Sequence, residues 1–120
     1  MVLVDTSVWV DHFRGTEPHL QDLLRRGEVA IHPFIAGELA CGNLSNRTQI
    51  MELLQALPQT TSATYDEVLD FIDRHGFFGR GMGFVDVHLL ASSLLSHAPL
   101  WSFDRKLRER ATVLHTAYKR

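Results

Sequence analysis

The chain has 120 residues, of which 45% are hydrophobic and 22% are charged, and its formal net charge is −2. This length suits one domain, and the composition excludes disordered and fibrous proteins. No apolar run approaches the roughly 20 residues that span a bilayer, and a carboxylate at position 5 argues against a signal peptide. The single cysteine, Cys41, can form neither an internal disulfide nor a cysteine zinc site. We therefore expect one cytoplasmic domain spanning residues 1–120.

Short apolar runs alternate with helical patterns along the chain. The expected elements, in chain order, are a strand at 2–4, helices at 7–14 and 17–26, a strand at 29–31, helices at 34–42 and 46–56, a weak strand at 58–62, a helix at 64–75, a glycine-rich loop at 76–83, a helix at 84–97, a strand at 99–103, a helix at 104–111 and a strand at 112–115. Such alternation predicts an α/β fold whose parallel sheet is covered on both faces.

The small net charge hides an uneven distribution. Residues 105–120 contain six basic residues and one acidic residue, whereas residues 1–104 carry an excess of acids. Most of the basic residues are arginines, whose planar guanidinium groups bind phosphate oxygens in pairs. The basic segment therefore indicates either a solvated last helix or a surface that contacts phosphate groups.

Two carboxylates directly follow predicted strands. Asp5 ends the first strand, and Asp104 ends the strand at 99–103. Ligands of parallel sheets bind at the carboxyl ends of the strands, so we expect both side chains at one edge of the sheet. Either residue could instead cap the helix that follows it.

Two further acids lie on apolar helical stripes. Glu38 shares its stripe with Phe34, Ile35 and Cys41, its neighbours at i−4, i−3 and i+3. Asp86 lies near the start of the most apolar predicted helix, with Leu89 at i+3. A carboxylate that faces a core is costly unless it is paired with a cation or a metal. The alternative to a metal is a buried salt bridge, for example to Arg14 or Arg80.

Convergence of the four acids would require a cation. Carboxylates ~5 Å apart repel by about 3 kcal/mol per pair at an effective dielectric of ~20. Several such pairs would rival a whole folding stability of about 5–15 kcal/mol. Ligation by oxygen alone favours Mg²⁺ or Mn²⁺, and a water bound to such an ion can attack a phosphodiester.

The sequence around these acids resembles that of PIN-domain ribonucleases, specifically the toxins of VapBC-type toxin–antitoxin pairs. The matching segments are VLVDTSVWVD at 2–11, Glu38–Ala40 with Gly42, GMGFVDVHLLA at 81–91 and LWSFDRKL at 100–107. Each segment is a weak signal alone, but together they cover essentially the whole chain in the right order.

The resemblance implies a three-layer α/β/α sandwich whose central parallel sheet has four or five strands in the order 3-2-1-4-5. It implies a Mg²⁺-dependent endoribonuclease that inhibits translation or growth, with Mn²⁺ as the expected substitute. The implied metal ligands are Asp5, Glu38, Asp86 and Asp104, some of them through water. Ser7 and Ser102 would be hydroxyls that support the ligands. The implied partners are RNA, a second copy of the chain and a cognate antitoxin, with DNA contacted only through the antitoxin.

Contact with RNA is expected from arginines near the acids. Arg105 and Arg108 begin directly after Asp104, and Arg80 lies in the glycine-rich loop. An anionic substrate that approaches four carboxylates meets repulsion, which nearby arginines offset. His32, at the end of the second strand, is a further candidate for contact with RNA.

Other interpretations of the same pattern remain open. A catalytically silent RNA-binding or scaffold domain of this fold would lack one of the four acids. A receiver-type phosphoacceptor domain needs a second acid beside Asp5, and a haloacid-dehalogenase-type phosphatase needs one in place of Ser7. The seven histidines include no i, i+4 pair, which disfavours zinc. An apolar stripe that includes Trp9, Phe13 and Leu24 is either core or a groove for a partner helix.

Overall fold

A parallel sheet lies at the centre of the computed structural model, which describes residues 1–15 and 17–120. In these residues the sheet has three strands, β1 (Val2–Val4), β2 (Val29–Ala30) and β3 (Leu100–Trp101), in the order β2-β1-β3. The helices are α1 (Thr6–Arg14), α2 (Pro18–Arg25), α3 (Pro33–Ala40), α4 (Arg47–Ala56), α5 (Tyr65–His75), α6 (Phe84–Ser96) and α7 (Arg105–Val113). The predicted α/β fold with a parallel sheet is confirmed.

Both edges of the sheet are extended by a single parallel pair. Ile31, directly after β2, pairs with Gln59, and Leu100 of β3 pairs with Ala117. With these pairs included, the spatial order agrees with the predicted 3-2-1-4-5. The two outer strands of that prediction are thus reduced to one bridged residue each.

The predicted strand at 112–115 is wrong. Helix α7 runs into this segment, and the chain joins the sheet only at Ala117. Thr112 is accommodated in the helix because its hydroxyl donates to the carbonyl oxygen of Arg108 at 2.8 Å. His115 then takes a left-handed conformation, with φ at 58°, which turns the chain back toward the sheet.

Burial of β1 shows that both faces of the sheet are covered. All three of its residues are buried, although successive side chains of a strand point to opposite faces. Leu3 and Val4 have no exposed surface, and the burial of each such side chain stabilises the fold by about 1.5–3 kcal/mol. The strand is therefore a rigid base for the residue that follows it, Asp5.

Helix α6 is the most deeply buried helix, with seven of its 13 residues inaccessible. Its fully buried Leu89 and Leu90 belong to the core that packs around the sheet. Of the helices formed by residues 1–15 and 17–120, none combines the length and the hydrophobicity that crossing a membrane requires.

Candidate active site

Asp5 is buried at the carboxyl end of β1 and is held by two hydroxyls. Ser7 and Ser102 both donate to its Oδ2, at 2.8 and 2.7 Å. Because both bonds reach Oδ2, Oδ1 accepts none of the hydrogen bonds formed in the described part of the chain. Asp5 precedes α1 without capping it through its side chain, so the serines rather than the helix orient the carboxylate.

The two serines tie the end of β1 to the end of β3. Ser102 accepts a hydrogen bond from the backbone N–H of Asp104, and Ser7 accepts one from that of Phe103, both at 3.0 Å. Each hydroxyl therefore accepts a hydrogen bond from a backbone N–H and donates one to Asp5. The resulting network fixes the direction in which the carboxylate points.

Asp104 and Glu38 are each held by one oxygen as well. Oδ1 of Asp104 accepts from the backbone N–H of Leu107 at 3.0 Å, which caps α7. Oε1 of Glu38 accepts from the hydroxyl of Thr6 at 2.8 Å. The second oxygen of each carboxylate accepts none of the hydrogen bonds seen in residues 1–15 and 17–120. The capping role expected for Asp104 thus leaves half of its carboxylate available.

The expectation that Glu38 faces the core is wrong. Helix α3 buries Ile35 and Leu39, whereas Glu38 is exposed on the adjoining face with Phe34 and Cys41. The apolar residues at i−4 and i+3 that suggested a core stripe are themselves solvent-exposed. Glu38 therefore needs no buried partner, and its hydrogen bond to Thr6 suffices to position it.

Asp86 lies half-buried in the first turn of α6 and is electrostatically coupled to the other three acids. Burial, followed by the charges of Asp5, Asp104 and Glu38, raises its pKa to about 6. Asp5 and Asp104 follow β1 and β3. Asp86 therefore lies within electrostatic range of acids at this end of the sheet.

The alternative of buried salt bridges is not observed. None of the ion pairs among the described residues includes Asp5, Glu38, Asp86 or Asp104. Arg14 is exposed, and Nε of Arg80 donates instead to the carbonyl oxygen of Gly76 at 2.9 Å. The negative charge of the cluster is therefore not balanced by these arginines.

The four residues fit a hydrated divalent cation. Within residues 1–15 and 17–120, no three acidic, histidine or cysteine side chains stand close enough to enclose a metal ion. Mg²⁺ does not need such an enclosure, because it usually keeps several waters and uses only one or two carboxylates. The donors are all oxygens, and a cation among them would offset the carboxylate charges that, after burial, raise the pKa of Asp86.

The predicted RNA-binding residues lie in different surroundings. Arg105 is highly exposed and pairs with Glu109 at 2.9 Å, whereas Arg108 borders a hollow next to Ser102. The other basic residues lining that hollow are Lys119 and Arg120. His32 is 1% exposed, so the expectation that it reaches RNA is wrong.

Two neighbours of the site escaped prediction. Thr6 holds Glu38 across 32 positions of sequence, and no local pattern signals that contact. The Lys106 ammonium lies 2.8 Å from where a Cβ on Gly81 would be, and the left-handed backbone of Gly81, with φ at 71°, favours glycine there. Lys106 belongs to the basic segment beside Asp104, and that position was the signal that could have found it.

The fold and the site together define a class of protein: a parallel α/β domain with a carboxylate cluster at the carboxyl end of its central strand. Residues 2–113 match the family model of the PIN domain. The chain belongs to the PIN domain family. This assignment excludes the receiver-type and dehalogenase-type alternatives.

Relatives of known name support the same assignment. The chain is 42% identical over 109 residues to Ribonuclease VapC32 from two strains of Mycobacterium tuberculosis, CDC 1551 and H37Rv. The match covers 90% of this chain and 88% of each relative. The crystal structure of PAE2754 from Pyrobaculum aerophilum has the same fold, with a TM-score of 0.62 and 20% identity over 91% of this chain and 78% of that one. The resemblance to VapC-type PIN proteins is thereby confirmed.

Proposed function

We propose that the protein is a metal-dependent endoribonuclease, formed as one PIN domain over residues 1–120, and the toxin of a toxin–antitoxin pair. The observation that carries the proposal is the half-engaged state of Asp5, Glu38 and Asp104. Each is held through one oxygen and leaves the other without a hydrogen bond in the described part of the chain. The name of the relative, Ribonuclease VapC32, supports RNA as the substrate.

The acidic side chains would bind the metal, and the neighbouring hydroxyls would position them. Asp5, Glu38, Asp86 and Asp104 would hold Mg²⁺, or Mn²⁺ in its place, some of them through water. When bound, such an ion supplies a water of lowered pKa and compensates charge on the phosphate. The hydroxyls of Ser7 and Ser102 hold the Asp5 carboxylate through Oδ2, and the hydroxyl of Thr6 holds the carboxylate of Glu38 through Oε1.

Hydrolysis is expected to leave a 5′-phosphate and a 3′-hydroxyl. In residues 1–15 and 17–120, the groups that donate hydrogen bonds to the carboxylates of Asp5, Glu38 and Asp104 are hydroxyls and a backbone N–H. No imidazole or neutral amine among these groups could take the proton of a ribose 2′-hydroxyl, so water is the expected nucleophile. The measurement is end-group analysis of a mixed RNA pool incubated with Mg²⁺ or with EDTA.

Two outcomes would contradict this proposal. Products that end in a 2′,3′-cyclic phosphate would show attack by the ribose instead of water. An RNA pool left intact with Mg²⁺ and with Mn²⁺, although RNA still binds, would favour the catalytically silent alternative.

The basic surface after Asp104 is proposed to hold the RNA backbone. Arg108 lines its hollow with Lys119 and Arg120, and Ser102, which also lines it, donates a hydrogen bond to Asp5. Flanking phosphates held there would orient the strand toward the carboxylates. Arg80 would contact RNA from the loop before α6.

Replacing Arg105 and Arg108 together with alanine is expected to weaken RNA binding and reduce its salt dependence by about one to two units of slope. The measurement is RNA affinity as a function of salt concentration. The matched control replaces Arg47 and Arg74, which lie on α4 and α5 and carry the same charge. A salt slope unchanged in the first variant, or lowered equally in the control, would leave this segment as a solvated helix only.

The proposed protein partners are a cognate antitoxin and a second copy of the chain. A hollow between α1, α2 and α4 is lined by apolar side chains, among them Trp9, Phe13 and Leu24. Leu53, which also lines it, is 68% exposed, so the apolar lining continues onto the surface of the protein. We propose that an antitoxin helix covers this hollow, that DNA is reached only through the antitoxin, and that the pair acts in the cytoplasm.

A further inference from the structure

Five aromatic rings form a cluster between the first turns of α3 and α6. The cluster consists of His32, Phe34, Tyr65, Phe84 and His88. The ring of His88 lies at its centre, with the centroids of Phe34 and Phe84 at 4.8 and 4.6 Å. Both contacts are edge-to-face, a geometry that fixes ring orientation. Tyr65 extends the cluster from α5, with its centroid 5.9 Å from that of Phe84.

The cluster has a buried floor and an exposed surface. His32 and His88 are buried, whereas Phe34 is 39%, Phe84 44% and Tyr65 64% exposed. The exposed rings are held against the buried ones and against each other, so their aromatic surface is presented in a defined position. Exposed apolar surface organised in this way marks a binding site more often than scattered single residues do.

The exposed rings adjoin the carboxylates. Phe34 lies one helical turn before Glu38 on the same face of α3, and residues so spaced are neighbours on a helix surface. Phe84 lies in the first turn of α6, as Asp86 does, and its ring contacts the same histidine ring as that of Phe34. A ligand whose phosphate reaches the carboxylates would therefore bring its attached bases to these rings.

We propose that Phe34, Phe84 and Tyr65 form a stacking platform for unpaired bases of the RNA strand that enters the carboxylate site. The proposal rests on the proposed ribonuclease function and adds the side chains that would hold the bases beside the carboxylates. Aromatic side chains stack on any base because every base has a π face, whereas the bases of a duplex are already stacked. The all-aromatic character of the exposed surface matches this ligand.

The test measures binding of a short single-stranded RNA that carries one 2-aminopurine, and of the same RNA in a duplex. An Asp5→Asn background keeps the RNA intact. Phe34→Leu and Phe84→Leu retain an apolar side chain but remove the aromatic face, and each should weaken single-strand binding about tenfold. The change in 2-aminopurine fluorescence on binding should shrink with them, and Phe84→Trp should restore both signals.

The matched control is Phe78→Leu, which removes a ring that is 69% exposed and makes no ring contact in the described part of the chain. Losses equal to those in the control, unchanged binding in both platform variants, or no binding by the parent would overturn the proposal. So would dissociation of a dimer by Phe34→Leu in sedimentation, since the surface would then be a subunit interface. RNA cleavage at the same rate with and without the Phe34 and Phe84 rings would contradict the platform and support the nuclease function. Ring-dependent binding together with no RNA cleavage by the wild-type protein, which retains Asp5, would contradict the nuclease function and support the platform.

Discussion

Replacing Asp5 with asparagine is expected to lower the rate of RNA cleavage by more than about a hundredfold while the fold stays intact. Asparagine retains a carbonyl oxygen for the hydroxyls of Ser7 and Ser102, so the link between β1 and β3 can persist. The variant loses the negative charge with which Asp5 would hold the metal. Residues that merely support metal ligands are worth about 10–100-fold in activity, so a ligand itself should be worth more.

Thermal melts separate loss of the metal from loss of the fold. The wild type should gain several degrees on addition of Mg²⁺, because a ligand that binds only the folded state stabilises it. The Asp5 variant should gain much less. Without metal it should melt at or above the temperature of the wild type, since one of the charges that raise the pKa of Asp86 is gone.

Asp11→Asn supplies the matched control. Asp11 is exposed on the same helix, α1, and takes no part in the carboxylate cluster. Its replacement should leave both cleavage and the gain with Mg²⁺ unchanged. An equal gain in the Asp5 variant and the wild type would show that Asp5 does not bind the metal.

The arrangement of the sheet could be predicted because its central strands are short, wholly apolar and followed by a polar residue. Asp5 directly follows Val2–Val4, and a short apolar run of this kind is typical of a strand in a parallel sheet that is covered on both faces. The edge strands could not be predicted as well. At 112–115 the β-branched residues suggested a strand, but the hydroxyl of Thr112 bonds within the helix and α7 continues.

The four acids could be proposed as one site from the sequence, but the hydrogen bonds of each carboxylate could not. A resemblance in four segments identifies the acids, and strand ends explain why Asp5 and Asp104 meet. Periodicity then placed Glu38 in the core, because it counts apolar neighbours without knowing whether they are themselves exposed. Which oxygen is held and by which hydroxyl depends on contacts such as that between Thr6 and Glu38, which only the folded chain forms.

The aromatic platform shows the same limit. Phe34 and Phe84 are 50 positions apart in the sequence, and the pattern around each predicts an ordinary core residue of an apolar helix. Their contact with one histidine ring from opposite sides of the site is visible only when α3 and α6 are placed together.

Acid sensitivity of the folded protein is expected to depend on His32. Its side chain is almost fully buried, Nδ1 accepts from the backbone N–H of Phe34 at 3.0 Å and so caps α3, and Nε2 has no partner in residues 1–15 and 17–120. Burial, with a smaller effect of His88, lowers the pKa of His32 from 6.5 to about 4. The folded protein therefore holds this ring neutral where the unfolded chain is already protonated.

The sign of the effect follows from proton binding. Between pH 6.5 and about 4 the unfolded state binds a proton on His32 that the folded state does not, so the free energy of unfolding falls as the pH falls. The raised pKa of Asp86 acts in the opposite direction, because the folded state takes up its proton first. Asp86 is half-exposed, so solvent screening makes its contribution the smaller one.

The free energy of unfolding of the wild type is expected to fall between pH 7 and pH 5. The His32→Asn variant should lose about 2 kcal/mol less than the wild type over this range, which is the amount that proton linkage gives for the shifted pKa of His32. Asparagine is a good cap, so the acceptor for the Phe34 amide remains while the titrating group disappears. Urea unfolding of both proteins at the two pH values measures the difference, and Asp86 cancels because both contain it. His97→Asn is the control, since His97 is exposed and its left-handed backbone, with φ at 51°, suits asparagine. Parallel pH dependence of the wild type and the His32 variant would show that the buried ring is not the acid-sensitive group.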